Sequence, residues 1–91
     1  MTKAELIGTM ADAAGISRDQ AKRALEAFTD GVTASLRRGR DVRLMGFGAF
    51  VAVDRKAGTA RNPQTGATIA RAASRTARFR PGEGLKSALN G

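Results

Sequence analysis

The chain has 91 residues, which fits one domain and excludes two packed ones. It contains no cysteine and no histidine, which excludes disulfides, thiolate zinc sites and cysteine nucleophiles and argues against an enzyme. Sixteen basic against eight acidic residues give a net charge of +8, which predicts a polyanionic partner, either nucleic acid or an anionic membrane face. The longest uncharged run, 44–53, is too short to span a bilayer, and Glu5 interrupts any secretory leader. We expect a cytoplasmic protein without cofactor or metal.

Too few of the apolar residues are large enough to build a full core within one chain. Alanine accounts for 18 of the 38, which leaves 20 large apolar side chains. That is a small number for a stable lone globule of 91 residues. We therefore expect the chain to complete its core in a dimer, either with a second copy or with a paralogue.

The positive charge is concentrated in the second part of the chain. Residues 1–36 carry a net charge of −1, whereas residues 37–91 carry +9. Seven basic residues and no acidic residue lie between Arg55 and Arg80, both included. Solvated faces usually mix the two signs, so this run predicts a surface that binds an anionic partner.

The first predicted helix covers about 3–14. Thr2 and Glu5 form a capping box, in which each side chain would accept a hydrogen bond from the other residue's backbone amide. Apolar residues then recur at helical spacing, and Gly15 ends the helix at a position that favours positive φ.

The second predicted helix covers about 18–38. Ser17 and Gln20 form another capping box, and a single apolar stripe follows. Gly39 closes this helix, just after two arginines that suit its negative end.

Beyond Gly39 the apolar period changes from 3.6 to about 2, which predicts strands. Residues 42–53 are typical of a β-hairpin, 62–66 of a turn, and 68–80 of a returning strand. The segment 55–76 has little apolar area to bury, so we predict that it forms a two-stranded arm projecting from the body.

These elements predict one domain over residues 1–91. We expect a helical dimerisation part at 1–39, a β-sheet at 40–80 that carries the arm, and a short C-terminal helix within 81–91.

Alternation along the predicted strands separates an apolar face from a basic one. If Phe79 faces the helical body, Arg78 and Arg80 face away from it, and Arg43 is turned outward in the same way. A proline at the tip of the arm, Pro63, fits an ordinary turn, but its place in an acid-free arm also suits a wedge between base steps. The arm adds five basic side chains, namely Arg55, Lys56, Arg61, Arg71 and Arg75.

Three motifs identify a likeness to a known family: GFGAF at 46–50, RNPQTG at 61–66 and FRxGxxLK at 79–86. With them the whole chain resembles the bacterial histone-like HU proteins and their relative, integration host factor. The resemblance implies an α+β fold with a helical base, a three-stranded antiparallel β-sheet saddle and extended β-arms, in an intertwined dimer. It also implies a nucleoid protein that bends, wraps and compacts double-stranded DNA with little regard to sequence; both relatives are standard examples of minor-groove architectural proteins.

The resemblance implies that Pro63 is the wedge and that Gly46 offers a backbone amide to a phosphate. It assigns minor-groove contacts to four residues of the arm, which are Arg55, Arg61, Asn62 and Arg75. It assigns phosphate contacts along the body to Lys3, Arg80 and Lys86. The remaining basic residues of the candidate site are Lys56, Arg71 and Arg78. The sequence departs from the family pattern at Gly58, Ala67, Ala77 and Glu83, and Arg71 compensates part of the charge that the first two lack.

Other functions are less well supported by the residues. An enzyme lacks any recognisable motif, since no GxxxxGK[ST] loop occurs. A membrane-surface protein would carry its cations on an amphipathic helix, yet the two long helices are nearly neutral. Single-stranded RNA binding needs exposed aromatic platforms, and this chain has only four Phe and no Trp or Tyr. RNA binding, a sequence-specific role like that of integration host factor, and a preference for nicked, bent or junction DNA stay open.

Overall fold

The computed structural model describes all 91 residues, as three helices and five strands. This composition of helices and antiparallel strands confirms the predicted α+β class. The helices are α1 (Lys3–Ala14), α2 (Arg18–Arg37) and α3 (Glu83–Asn90). The strands are β1 (Val42–Leu44), β2 (Gly48–Arg55), β3 (Gly58–Arg61), β4 (Thr68–Arg71) and β5 (Ser74–Pro81).

The chain forms two compact units, Met1–Ala34 and Ser35–Gly91. The first contains α1 and most of α2. The second contains the end of α2, all five strands and α3. The assignment of 1–39 as a dimerisation part within one domain stays a prediction.

The two predicted capping boxes differ in how completely they form. At α2, the Gln20 amide donates to the Ser17 hydroxyl and the Ser17 amide donates to the Gln20 side chain, both at 3.0 Å. At α1, the Glu5 amide donates to Thr2 Oγ1 at 3.1 Å, but the return bond to the Glu5 carboxylate is absent. The capping box predicted for α1 is therefore only half formed. The Glu5 carboxylate is exposed, and a hydrogen bond from the Thr2 amide would only replace one from water, so the net gain in free energy is small.

The first unit is held by contacts between small side chains of α1 and α2. Ile7, Ala11 and Ala21 are buried, and Met10 and Leu25 pack against them. These three residues are the only buried apolar residues of the chain.

The second unit is built on a three-stranded antiparallel sheet in the order β1-β2-β5. Phe50 lies opposite Val42 on one side and Phe79 on the other. The Phe79 ring centroid is 5.2 Å from that of Phe50 and 5.6 Å from that of Phe47, in tilted geometry. We call the face that carries Val42, Phe50 and Phe79 the apolar face.

The arm contains a second, two-stranded ladder in which Gly58 pairs with Arg71 and Arg61 with Thr68. We call β3, β4 and the turn between them the arm ribbon. Residues 56–57 and 72–73 separate this ribbon from β2 and β5, so the returning strand predicted as one piece over 68–80 is two strands. The break on that side falls at two alanines, which favour strands weakly. The break leaves two residues unpaired on each of the two strands, so the arm ribbon continues the pairing register of β2 and β5 without a shift.

The last helix begins at Glu83 rather than directly at Pro81, because Pro81 still pairs with Gly48 in the sheet. Its N-terminus lies against the turn between β1 and β2. The Gly82 amide donates to the Phe47 carbonyl at 2.7 Å, and the Leu85 amide donates to the Gly46 carbonyl at 3.2 Å. These bonds fix the start of α3 to that turn.

Candidate nucleic-acid interface

Four arginines occupy the side of the three-stranded sheet opposite the apolar face. Arg43 and Arg80 flank Ala49 in one cross-strand row. Arg78 lies opposite Val51, and Arg55 opposite Ser74. Since directly paired residues share a face and successive residues alternate, Arg43, Arg55, Arg78 and Arg80 form one cationic face. The predicted outward orientation of Arg43, Arg78 and Arg80 agrees with this register.

A shallow groove of about 360 Å³ lies at the edge of the cationic face, beside the turn between β1 and β2. Arg43 and Arg80 line it together with Gly46 and Gly82. Gly46 has a φ of +82°, and its carbonyl accepts from the Leu85 amide. Its own amide donates no hydrogen bond within the turn. Asp41 lines the groove as well, so two guanidinium groups and one carboxylate leave it with a net positive charge, which suits a phosphate.

The tip of the arm is a turn whose polar groups bond to one another. The Asn62 amide donates to the Ala67 carbonyl at 2.8 Å, and the Gly66 amide donates to the Asn62 carbonyl at 2.7 Å. The Asn62 side chain accepts from the Gln64 amide at 2.9 Å. Pro63 follows Asn62 and is exposed. The turn therefore presents an apolar ring at the end of the ribbon, while Asn62 is engaged in holding the turn.

The basic residues of the arm are not gathered on one side. Arg61 pairs with Thr68, whereas Arg71 pairs with Gly58 on the opposite face of the arm ribbon, next to Ile69. Lys56 lies in the break between the two ladders. All of these side chains are exposed, so cations line both faces of the arm ribbon.

Arg75 differs from the other arginines because it is bonded within the protein. Its Nε donates to Asp54 Oδ1 at 2.5 Å, and its Nη2 donates to Oδ2 at 3.4 Å. Its Nη1 donates to the carbonyl of Arg37 at 2.6 Å. The hydrogen bond from Arg75 lowers the pKa of Asp54, and the same bond raises the pKa of Arg75. The register places Arg75 on the apolar side of the sheet, apart from Arg78 and Arg80.

The two lysines of the predicted site occupy different parts of the structure. Lys3 opens α1 in the first unit and is exposed. Lys86 lies on α3, with Nζ 3.8 Å from the Glu83 carboxylate. Both side chains of that pair are largely exposed, so the pairing is weak and leaves Lys86 accessible to an anion.

Sequence reasoning missed the two aspartates that organise the second unit. Asp41 Oδ1 accepts from the Ala52 amide at 3.2 Å, beyond the end of β1. Asp54 comes one residue before the acid-free run, and its partner Arg75 is 21 positions away. Only the exact pairing of β2 with β5 brings them together, so the signal that could have found Asp54 was the register itself.

No cluster of three or more acidic side chains could hold a metal ion. None of the helices is long and apolar enough to cross a membrane.

The sequence matches the family described as "Bacterial DNA-binding protein" over residues 1–90. It is 65% identical to the DNA-binding protein HU of Caulobacter vibrioides over 98% of this chain and 97% of that protein. It is 49% identical to HU-beta of Escherichia coli, covering 99% of this chain and all of the relative.

Solved structures of HU proteins have the same fold. Anabaena HU in a cocrystal with DNA aligns with a TM-score of 0.84 at 31% identity, over 98% of this chain and 97% of that one. HU from Thermotoga maritima aligns with a TM-score of 0.68 at 26% identity, over 98% of both chains. The matches in sequence and fold span nearly the whole chain, and they show that it belongs to the HU family of bacterial histone-like, architectural DNA-binding proteins.

Proposed function

We propose that this protein bends, wraps and compacts double-stranded DNA through the minor groove, with little dependence on sequence. The cationic face would bind the backbone along the body, and the arm ribbons would follow the groove. The observation that carries this proposal is an exposed Pro63 on a hydrogen-bonded turn, at the end of a ribbon with Arg61 and Arg71 on its two faces. The Anabaena relative, which was crystallised with DNA, supports the same partner.

Backbone binding suits these residues better than base reading. The arginines of the cationic face lie on a three-stranded sheet and not on a helix, the element that most often reads bases in the major groove. The side chain of Asn62, an obvious reader of bases, accepts a hydrogen bond within its own turn. Phosphate contacts position a protein but carry no sequence information directly, so we expect weak sequence preference.

The proposed assembly is a homodimer. Large apolar side chains that remain exposed in the single chain include Phe28, Phe47, Phe79, Leu44 and Leu89, each more than a third exposed. Because only three apolar residues are buried, one chain leaves more apolar surface in water than a stable globule usually does. A second copy would cover such surface, and it would also supply a second arm so that one dimer can grip DNA at two places.

A gel-shift series tests the proposed function. The protein is titrated against a linear duplex, the same duplex with a nick, and a four-way junction, with a scrambled duplex of equal composition as control. We expect the protein to bind the scrambled duplex and the original linear duplex with equal affinity. It should bind the nicked duplex and the junction more tightly, since less energy is needed to bend these two DNAs. Strong discrimination between the two linear duplexes would favour a sequence-specific factor, and tighter binding of single-stranded RNA than of any duplex would contradict the proposal.

A further inference from the structure

We propose that Arg75 is a positioning residue that fixes the base of the arm, and that it is not a DNA ligand. Asp54, Arg75 and the carbonyl of Arg37 together form what we call the clamp. The inference rests on the proposed DNA-binding function, because it reassigns one arginine of the site. It also assigns a structural role to Asp54, an acidic residue in a DNA-binding protein, because Asp54 holds the Arg75 guanidinium.

The first argument is the geometry of the Asp54–Arg75 pair. The two residues face each other directly in the β2–β5 register, at the next-to-last pair of the ladder before the arm. Two N–H groups of the guanidinium meet the two oxygens of the carboxylate, the fork geometry that arginine and a carboxylate favour. A phosphate that approached Arg75 would have to replace an anion that is already in place.

The second argument is the bond to Arg37. Arg37 is the last residue of α2, where backbone carbonyls lack helical partners. The Arg75 Nη1 group donates to this carbonyl at 2.6 Å, which satisfies the acceptor and adds a positive charge at the negative end of the helix. The clamp therefore connects three elements at one point: β2 through Asp54, β5 through Arg75 and the end of α2 through Arg37.

A neighbouring glycine, Gly39, borders the clamp. The chain reverses after α2 through Gly39, whose φ is +75°. A Cβ on this residue would lie 3.6 Å from the Arg75 guanidinium, so the Gly39 backbone borders the group directly. The guanidinium is thus flanked by the loop after α2 as well as by its three hydrogen bonds.

The third argument is the side of the sheet on which Arg75 lies. Arg75 shares its side with Ala77 and Phe79, whereas Arg78 and Arg80 lie on the cationic face. A phosphate bound to the cationic face is therefore separated from Arg75 by the sheet itself. Position and partners agree that Arg75 acts on the protein and that Arg61 and Arg80 act on DNA.

Two substitutions that change the net charge in opposite directions test this inference. Arg75→Gln removes a positive charge and Asp54→Asn removes a negative one, yet both break the same pair. If Arg75 is a positioning residue, both variants lose affinity for nicked DNA and both show severalfold faster hydrogen exchange of the amides near the ends of β2 and β5. Gel shift and exchange mass spectrometry on the intact protein measure the two effects, and circular dichroism checks that each variant is folded.

The salt dependence of binding supplies the matched comparison. Arg61→Gln should flatten the log–log slope of affinity against salt by about one per arm, the effect of losing one phosphate contact. Arg75→Gln should leave that slope unchanged. A slope flattened as much by Arg75→Gln as by Arg61→Gln, or tighter binding by Asp54→Asn, would overturn the inference and make Arg75 a phosphate ligand. If the parent protein itself shows no salt-dependent DNA binding, the proposed function fails, while the exchange measurement on free protein still tests the clamp.

Discussion

The ring of Phe79 lies against the backbone of Gly48. A Cβ built on Gly48 would lie 2.5 Å from Phe79 Cζ and 2.6 Å from the carbonyl oxygen of Arg80. Neither atom can move far, since one belongs to an aromatic ring packed on Phe50 and the other to a paired strand. The start of β2 therefore requires glycine, because the Phe79 ring and the Arg80 backbone leave no space for a Cβ.

Gly48→Ala should destabilise the fold by about 1–3 kcal/mol, the usual effect of overpacking a tight site. The free energy of unfolding from urea denaturation measures it. Gly58→Ala is the matched control, because Gly58 is also a strand residue and a Cβ there would meet nothing within 4 Å. Equal stability of the Gly48 and Gly58 variants would show that Phe79 and the Arg80 backbone can shift to accommodate a Cβ.

Thermal unfolding should depend on protein concentration. If a second copy covers the exposed apolar side chains, folding and association are coupled and the Tm rises as the protein is concentrated. Calorimetry over a hundredfold range of concentration tests this, with sedimentation to give the mass. A constant Tm together with a folded monomer at micromolar concentration would contradict the dimer.

Affinity for linear duplex should fall steeply with salt. Each phosphate neutralised by Arg or Lys contributes about −0.9 to the log–log slope. If each arm and its flank supply roughly three to five contacts, a dimer gives a slope of about −5 to −9. Titrations at several salt concentrations measure it, and a slope near zero would mean that the cationic face is not the binding surface.

Pro63→Ala should reduce bending more than binding. The substitution removes the apolar ring but no charge, so affinity for intact linear duplex should change by only a modest factor. Minor-groove architectural proteins, HU among them, open a base step at a cost of a few kcal/mol that added contacts on bent DNA offset. Energy transfer between labelled DNA ends should therefore report a smaller bend angle.

Gln64→Ala is the control for Pro63, because it changes the next residue of the same turn while the hydrogen bond seen there uses only the Gln64 backbone amide. It should leave the bend angle unchanged. If the Pro63 variant bends DNA as sharply as the parent does, the proline serves only to form the turn.

The Asp54–Arg75 pair should stabilise the protein at neutral pH and fail only in acid. The pKa of Asp54 in the folded protein lies below its ordinary value of 3.8, so the pair stabilises the fold above that pH and is lost as the pH falls through the lowered value. The raised pKa of Arg75 keeps its charge throughout this range. The Tm difference between the parent and Asp54→Asn should stay constant from pH 8 to 5 and shrink below about pH 4. Asp12→Asn is the control, because Asp12 has no ion pair, and its Tm difference from the parent should not change in this way with pH. A Tm difference for Asp54→Asn that persists at low pH would contradict the role of the ion pair.

The helices could be predicted from sequence because their signals are local. The bounds of α1 agree with the prediction, and the box of Ser17 and Gln20 needs residues only three apart. The end of α2 moved by one residue, to Arg37, since Arg38 and Gly39 already form a tighter turn with donors three residues from their acceptors. Alternation also predicted that Arg80 faces away from the side of Phe79 and that Arg43 faces away from the side of Val42, which needs no more than a period of two.

The rest depends on pairings between distant residues. Arg75 looked like its neighbours in an acid-free run, and only the β2–β5 register shows that it faces Asp54. The separation of Arg61 from Arg71 likewise follows from how β3 pairs with β4. Composition predicts how much charge an arm carries, but the pairing decides on which face each charge lies.

The break at residues 56–57 and 72–73 has a mechanical consequence. Bending the strands within a ladder strains its hydrogen bonds. Residues 56–57 and 72–73 belong to no ladder, and the pairing register is the same on both sides of them. Bending at the break therefore turns Arg61 and Pro63 as one body, without slippage of the strands. The arm strands are four residues long, about 13 Å at 3.3 Å per residue, so a swing of about 20° moves the tip by about 5 Å. That distance is close to the width of a minor groove, about 6 Å, so we expect such a swing to let one arm follow duplexes of different curvature.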